Sequence, residues 1–525
     1  MITGEHGLVT SRRSMGVENA AERSFAANTV EDSMLRTASS VPPVSFGSKT
    51  RLAAQTGKPI SIPVTCGLLV PFDAIAIVAC SALAFAVWLA DTPYARWQTY
   101  SVVTLFGALV AVNVFRIAGL YQFSVLTRPR LSWKRAIVAW TAVAVILLAV
   151  SFFTKTSGGY SRGWSALWFA SVAAIVLVSR IAFYRKTRKW IDEGRLYRNV
   201  AIVGAGQTGQ RLVRQLRDNP EAGVRVVGLF DDRLQRTPSP RADYSVQGNL
   251  ETLIEYIRNW PVDTVIVAVP WSAEWRIAKI VAKLRVVPVD IRLCPGPAAF
   301  HLKAPGFCHF GQIPMLKLLD RPLSDWRSAI KELEDRALAA LILAMIAPLM
   351  LAIAAAIKID SPGPVFFRQK RYGFNDQLIE VLKFRSMYVD YEDANADQLT
   401  RRNDPRITPL GAILRKWSFD ELPQFINVLR GEMSIVGPRP HAIAAKAAGI
   451  RYGDAVPDYG ARHRMKPGIT GWAQINGWRG DTETLEQIEK RVEHDLYYIE
   501  HWSLWFDLKI ILLTVVRGFA GQNAY

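Results

Sequence analysis

The chain has 525 residues, half of them apolar, with a mean hydropathy of +0.12 and 64 Lys and Arg against 45 Asp and Glu, a net charge of +19. At roughly 100–200 residues per domain, this excludes a single small module and predicts about three domains. The hydropathy is high for a soluble enzyme and low for a chain immersed throughout in lipid, so a membrane part and a water-facing part are expected together; the positive charge favours lipid headgroups, sugar nucleotides or nucleic acid without choosing among them.

Residues 1–62 are rich in Ser, Thr, Ala, Arg and Pro without apolar periodicity, and read as a disordered cytoplasmic tail, not a signal peptide. Long apolar runs follow at 64–90, 100–121, 135–153 and 164–184, each near the ~20 residues that a spanning helix needs. Arg128, Arg130, Lys134 and Arg135 crowd the second connection, and Arg185, Lys186, Arg188 and Lys189 follow the fourth run. The other two connections carry little positive charge, so both ends of this four-helix transmembrane region, 63–185, are expected in the cytoplasm.

Residues 186–322 change character to an alternation of strands and helices, a Rossmann-like α/β domain. A strand at 199–203 runs into Gly204, Gly206 and Gly209 in the spacing GxGxxG, then into a helix with Leu212, Val213 and Leu216 on one face. Glycine there permits a tight turn and close approach of a phosphate to the helix start, and Asp231, at the end of the second strand, stands where an acidic residue meets a ribose. Two readings stay open: the turn binds a nucleotide such as NAD, or the domain is a scaffold that keeps the turn. Tyr184 and Arg188 do not make a dehydrogenase Tyr-x-x-x-Lys pair, and they precede the domain. Cys66, Cys80, Cys294 and Cys308 form no CxxC pair, so a disulfide scaffold is not expected. The spacing of Cys294, His301, Cys308 and His309 fits no zinc pattern.

The last region, 323–525, opens with a fifth apolar run, 337–357, interrupted by Pro348. Proline removes a backbone donor and kinks a helix, and the eleven residues before it rise only about 16 Å, half the hydrocarbon thickness. Basic residues on both sides, Lys331 and Arg336 before and Lys358, Arg368, Lys370 and Arg371 after, argue that the run enters the membrane and turns back. Beyond it Lys383, Arg385 and other cations suit a phosphate-bearing substrate. Ser418 with Glu421 three residues on reads as a capping box, which would put Asp420 and Glu421 in a first helical turn. Farther on, Leu485, Ile488, Val492, Leu496 and Ile499 recur as one helix face, followed by Trp502, Trp505 and Phe506, suited equally to a membrane surface and to core packing.

Three stretches carry a resemblance: Ser-Phe-Asp-Glu-Leu-Pro-Gln at 418–424, Gly-Glu-Met-Ser-Ile-Val-Gly-Pro-Arg-Pro at 431–440, and the run from Arg464 to Arg479 that contains Pro-Gly-Ile-Thr-Gly-Trp-Ala-Gln-Ile-Asn-Gly-Trp-Arg. From about Glu332 to Tyr525 the chain resembles the bacterial polyprenyl-phosphate sugar-1-phosphate transferases of the monotopic phosphoglycosyl transferase superfamily, long form. The resemblance implies a C-terminal α-rich catalytic domain with a re-entrant helix broken at Pro348, although Ala347 stands where Ser often precedes the proline. It implies Asp420 as nucleophile, Glu421 as its partner and a ligand of Mg²⁺, and Arg439 on the nucleotide or its phosphates. It implies Lys383 and Arg385 near a phosphate and Asp507 at a polar position the family needs. Arg479 matches only if Trp478 is counted as an insertion.

The implied reaction moves a sugar 1-phosphate from a UDP-sugar to undecaprenyl phosphate through an aspartyl-phosphosugar, releases UMP, and starts exopolysaccharide assembly at the bacterial inner membrane. Glucose is the first choice on the Asn-Gly-Trp-Arg-Gly-Asp stretch with Thr482 and Thr484, and galactose remains open. A homodimer and downstream glycosyltransferases are the further partners considered, and nucleic acid is not expected. The rivals are an NAD-dependent sugar-nucleotide epimerase or dehydratase built on Gly204–Gly209, and a non-catalytic assembly scaffold.

Overall fold

A computed structural model of the chain describes residues 60–90, 97–193, 195–218, 224–233, 245–294, 307–310, 313–389, 404–441, 446–447, 450–456, 458–478 and 484–520. The expected tail therefore lies outside the described residues, except for its last three positions.

Among the described residues, five helices are long and apolar enough to cross a membrane: Ile62–Trp88, Trp97–Ile117, Pro129–Phe153, Arg162–Asp192 and Asp325–Asp360. The first four pack around Ile77, Ala111, Phe115, Val143, Trp168 and Val172, while Val102, Leu109, Leu148 and Val178 face outward. This inversion of the usual pattern is what lipid, not water, permits. One ion pair is sealed inside: Arg180 Nη2 lies 2.6 Å from Asp73 Oδ2, which also accepts from Tyr121 Oη at 3.0 Å. Charges at such depth persist only when paired, and this pair ties the first and fourth helices together.

The α/β domain has one six-stranded sheet. Its strands are β1 (Arg198–Val203), β2 (Val224–Phe230), β3 (Thr264–Val267), β4 (Asp290–Leu293), β5 (Phe307–Phe310) and β6 (Ile313–Leu319), in the order β2-β1-β3-β4-β6-β5. The first four are parallel and the last two antiparallel. Buried on both faces, β1 and β3 are apolar without alternation, as parallel strands require. The crossovers include α1 (Gln207–Asp218), α2 (Leu250–Asn259) and α3 (Glu274–Leu284). Asn249 caps α2 by accepting from the Thr252 amide.

The C-terminal domain begins with α4 (Asp325–Asp360), which runs as one helix through Pro348. The expected break is thus not an interruption of helical structure. Both ends of its apolar stretch are held by the same domain body. Ala339 joins the cluster of Val381, Val428, Ile435 and Tyr498, and Ile353 and Ile357 join that of Phe384 and Leu414. Between them Leu341, Met345 and Leu351 are exposed, Met345 by 74%. A hairpin of β7 (Phe366–Tyr372) and β8 (Leu378–Phe384) follows, in unbroken antiparallel register from Phe366↔Phe384 to Tyr372↔Leu378. Next come α5 (Pro409–Lys416), α6 (Gln424–Arg430), and a parallel pair of β9 (Ser434–Val436) and β10 (Gly468–Thr470). Two closing helices end the domain, α7 (Leu485–His501) and α8 (Leu504–Ala520). The expected face of α7 packs inward, with Ile488, Val492 and Ile499 buried, so core packing is the reading the structure supports.

Candidate active site

Asp420 and Glu421 sit where α5 gives way to α6. The capping box expected at Ser418 is not formed: Ser418 has left-handed backbone (φ 56°) and no cap bond, Phe419–Glu421 is a short 3₁₀ turn, and the α-helix starts only at Gln424. Ser418 at positive φ marks the reversal that turns the two carboxylates inward. Asn427, fully buried on α6, locks this turn to the hairpin. Its Oδ1 accepts from the Leu382 amide at 2.9 Å, and its Nδ2 donates to the Glu380 carbonyl at 2.7 Å.

Strand alternation then decides which side chains meet the carboxylates. Phe367 pairs with Lys383, Gln369 with Val381, and Arg371 with Ile379, so Arg371 and Lys383 share one face of the hairpin. Lys383 Nζ lies 3.2 Å from Glu421 Oε1 and 4.0 Å from Asp420 Oδ2. Arg439 enters from the opposite side with Nη2 at 2.8 Å from Oε1 and Nη1 at 3.4 Å from Oε2, a two-pronged grip on Glu421. Its loop is stitched to β10, the Gly437 amide donating to Thr470 O and the Gly468 amide to Pro438 O. Arg462 holds the Arg439 carbonyl at 2.8 Å and Asp495 at 2.6 Å.

The two carboxylates are driven apart electrically. Burial pushes Glu421 up, but Arg439, Lys383 and Arg371 together outweigh it and hold the group well below the ordinary carboxylate range. Burial also raises Asp420, the negative charge of Glu421 adds to it, and Lys383, Arg415 and Arg439 do not cancel the sum. One carboxylate is thus a fixed anion and its neighbour a more basic carboxylate. Burial lowers Arg371 to about 10 with the Arg439 charge adding, and lowers Lys383, against the pull of the two carboxylates. Four cations acting on two carboxylates leave a positive surplus, suited to a diphosphate.

Of the residues expected in the site, Asp420, Glu421, Lys383 and Arg439 converge. Arg385 does not: its Nη2 donates to Ser361 O at 2.6 Å and its Nη1 to Pro362 O at 2.9 Å, closing the C-terminus of α4. Asp507 does not either. It is fully buried and accepts from Lys331 Nζ at 2.6 Å, Tyr498 Oη at 2.7 Å and Trp502 Nε1 at 2.9 Å. Arg479 lies outside the described residues. Pro348 sits in the exposed middle of α4. Arg371, read only as a charge flanking the fifth apolar run, Arg415 and Asn427 were not expected in the site from the sequence. The period-two pattern shared with Lys383 would have flagged Arg371, and an amide on the apolar face of 424–430 would have flagged Asn427.

Gly204, Gly209 and Asp231 meet at the head of β1. Gly204 has φ +113°, and a Cβ on Gly209 would lie 1.9 Å from the Gly204 carbonyl oxygen, so glycine is obligatory at both. Asp231, however, is engaged by its own chain: it accepts from the Ala205 amide at 2.9 Å and the Arg233 amide at 3.0 Å, and pairs with Arg276 at 2.5 Å. Burial raises it, but these donors prevail and hold it below the ordinary value. Gly206 faces open space. No cluster of three or more metal-ligating side chains occurs among the described residues. His301 lies outside them, and Cys294 is buried.

A carboxylate pair ringed by cations, on a domain whose longest helix is lipid-compatible, defines a membrane-associated transferase of phosphorylated substrates. The family described as bacterial sugar transferase matches residues 326–521, and that described as CoA-binding domain matches 116–295. The chain is 40% identical over 426 residues to the UDP-glucose:undecaprenyl-phosphate glucose-1-phosphate transferase of Escherichia coli (strain K12), covering 80% of this chain and 89% of that one. It is 36% identical over 454 residues to the undecaprenyl-phosphate glucose phosphotransferase of Komagataeibacter xylinus, 84% of each chain. Over 197 residues, 37% of this chain and 45% of the other, it is 40% identical to a UDP-N-acetylgalactosamine-undecaprenyl-phosphate N-acetylgalactosaminephosphotransferase of Aeromonas hydrophila. The chain belongs to the bacterial sugar transferase family.

Proposed function

We propose that this enzyme transfers glucose 1-phosphate from UDP-glucose to undecaprenyl phosphate, the first step of exopolysaccharide repeat-unit assembly. The observation that carries the mechanism is the pairing of a cation-clamped Glu421 with an adjacent Asp420 that is not so clamped. Asp420 attacks the sugar-bearing phosphorus, the bond from that phosphorus to the bridging oxygen breaks, and UMP leaves with the electron pair. The acyl phosphate so formed is itself activated. An oxygen of the lipid phosphate then displaces Asp420, giving undecaprenyl-diphosphate glucose and regenerating the carboxylate. Covalent catalysis thus divides one encounter between anions into two.

Lys383, Arg371 and Arg439 are placed to neutralise the diphosphate as charge gathers on the departing phosphate. Mg²⁺ usually takes one or two carboxylates and completes its shell with substrate phosphates; the adjacent Asp420 and Glu421 are a donor set of that kind, and Glu421, the ligand proposed, would exchange a contact with Lys383 or Arg439 to hold it. When bound, such an ion would supply further neutralisation of the diphosphate. The sugar is assigned as glucose because relatives matched over four-fifths of the chain are named for it.

Both anchored ends and the exposed middle of α4 support a re-entrant helix, which would keep the α/β and catalytic domains on the cytoplasmic face of the inner membrane. The α/β domain is read as Rossmann-like from its parallel strands and glycine turn. The decisive assay mixes detergent-solubilised protein with undecaprenyl phosphate and a panel of UDP-sugars, and measures UMP. UDP-glucose is expected to give the fastest release; release from none of them would refute the assignment.

A further inference from the structure

The hairpin that delivers Arg371 and Lys383 has its other end in the α/β domain. In a parallel α/β sheet the crossover helices run back against the strands, so the C-terminus of α2 lies at the amino edge of the sheet, opposite the glycine turn. At that C-terminus Pro261 has no N–H, which leaves the Ile257 carbonyl without its helical donor four residues on. Asn375, at the tip of the β7–β8 hairpin, supplies the missing bond, its Nδ2 donating to Ile257 O at 2.9 Å. Gln377 Nε2 reaches Arg258 O at 3.4 Å, and Arg258 Nη2 pairs with Asp376 at 2.5 Å.

The tip is built for this contact at a conformational cost. Asn375 and Asp376 are consecutive residues in the left-handed region, φ 56° and 57°, which only the surrounding contacts hold in place. Asp376 also hydrogen-bonds His463, whose ring stacks on Tyr372, and His463 adjoins Arg462, the residue that holds the Arg439 carbonyl. The cations on both sides of the carboxylate pair are therefore referenced to one junction, where α2 of the α/β domain meets the hairpin tip.

We infer that Asn375, Asp376 and Arg258 are positioning residues for phosphosugar transfer: the α/β domain acts as the frame that holds the β7–β8 hairpin, and through it Arg371 and Lys383, against Asp420 and Glu421. This rests on the transfer reaction proposed above. The hairpin has only two strands, and a pair of that kind is marginal unless something packs on it. Asn427 fixes its inner end and α2 fixes its tip. The α/β domain then contributes to catalysis through its amino edge, without any ligand at the glycine turn.

The test uses the full-length protein with Arg258→Ala, a change made in the α/β domain that removes the ion pair to Asp376, and Asn375→Gly, which keeps the left-handed turn and removes the amide. Two readouts are taken: hydrogen exchange of amides 366–372 and 378–384 relative to 424–430, and kcat and KM for UMP release. Both variants are expected to speed exchange in the hairpin while leaving 424–430 unchanged. Both should lower kcat roughly tenfold with little change in KM for UDP-glucose, the scale expected when charged groups near the reacting centre lose their register. Arg258→Lys should restore most of the loss. Wild-type exchange and kcat in both variants would overturn the inference. Wild-type protein that releases no UMP from any UDP-sugar would instead refute the transfer reaction, and hairpin exchange would still decide the coupling.

Discussion

Two aspartates carry the comparison between the α/β domain and the catalytic domain. Asp231 and Asp420 both end up buried beside an arginine, and both look from sequence like residues that meet a nucleotide. Asp231 is bound by two backbone amides and Arg276, all from its own fold, and serves to pin the glycine turn. Asp420 has Lys383 at 4.0 Å as its ion-pair contact, while the neighbouring Glu421 takes the close grip of Lys383 and Arg439. A carboxylate whose oxygens are satisfied by local donors holds structure. One kept basic beside a clamped anion is available for chemistry.

The largest effect should come from Asp420→Asn, which preserves the shape of the turn and removes the proposed nucleophile; UMP release should fall by roughly three orders of magnitude or more. Near-wild-type turnover would erase the distinction between the two aspartates. Arg439→Ala removes both prongs from Glu421 and should cost kcat/KM roughly 10²-fold, as loss of a preorganised donor does. Steady-state kinetics with UDP-glucose would show it, and a tenth of that loss or less would mean that Lys383 and Arg371 suffice.

The pH profile sharpens the same contrast. Because burial and Glu421 raise Asp420 above its usual 3.8, the proposed nucleophile should be protonated and activity should decline as pH falls through a value above that. Glu421→Gln removes the like charge, so in the slower variant the acid limb of kcat/KM should move to lower pH; a shift upward would contradict the electrostatic account. The smallest catalytic effect is expected at Asp231. Asp231→Ala should cost about 1.5–3 kcal/mol of stability, the value of buried hydrogen bonds to a charged group. The turnover of the folded fraction should be unchanged, measured by thermal unfolding and UMP release on the same sample.

Much of this was legible in the sequence because local signals were strong. Apolar run length gave the helices at Trp97–Ile117, Pro129–Phe153 and Arg162–Asp192, and strand runs beside glycine gave β1 and its turn. The carboxylate pair, Lys383 and Arg439 were legible as motifs. What was not legible depends on tertiary contacts. Arg385 carries the residue type of a phosphate site and Asp507 matched a polar position of the family, yet the first closes a helix end and the second neutralises buried Lys331, which only tertiary packing decides. The spacing of Ser418 and Glu421 matched a capping box, but the backbone of Ser418 turned left-handed and the helix began later. Proline marked the middle of α4 without revealing that the helix continues through it. Arg371 was visible only as one basic residue among several, because its partners come from a strand pairing and a distant loop.

The central claim is that Asp420 becomes covalently bonded to the sugar phosphate. The most direct measurement incubates the enzyme with UDP-glucose in the absence of undecaprenyl phosphate, quenches it, and maps the adduct by mass spectrometry of the peptide spanning 418–424. A hexose-phosphate adduct on Asp420, formed with release of UMP and discharged when undecaprenyl phosphate is added, is the predicted result. UMP release that requires the lipid and leaves no adduct, or an adduct that persists in Asp420→Asn, would contradict it.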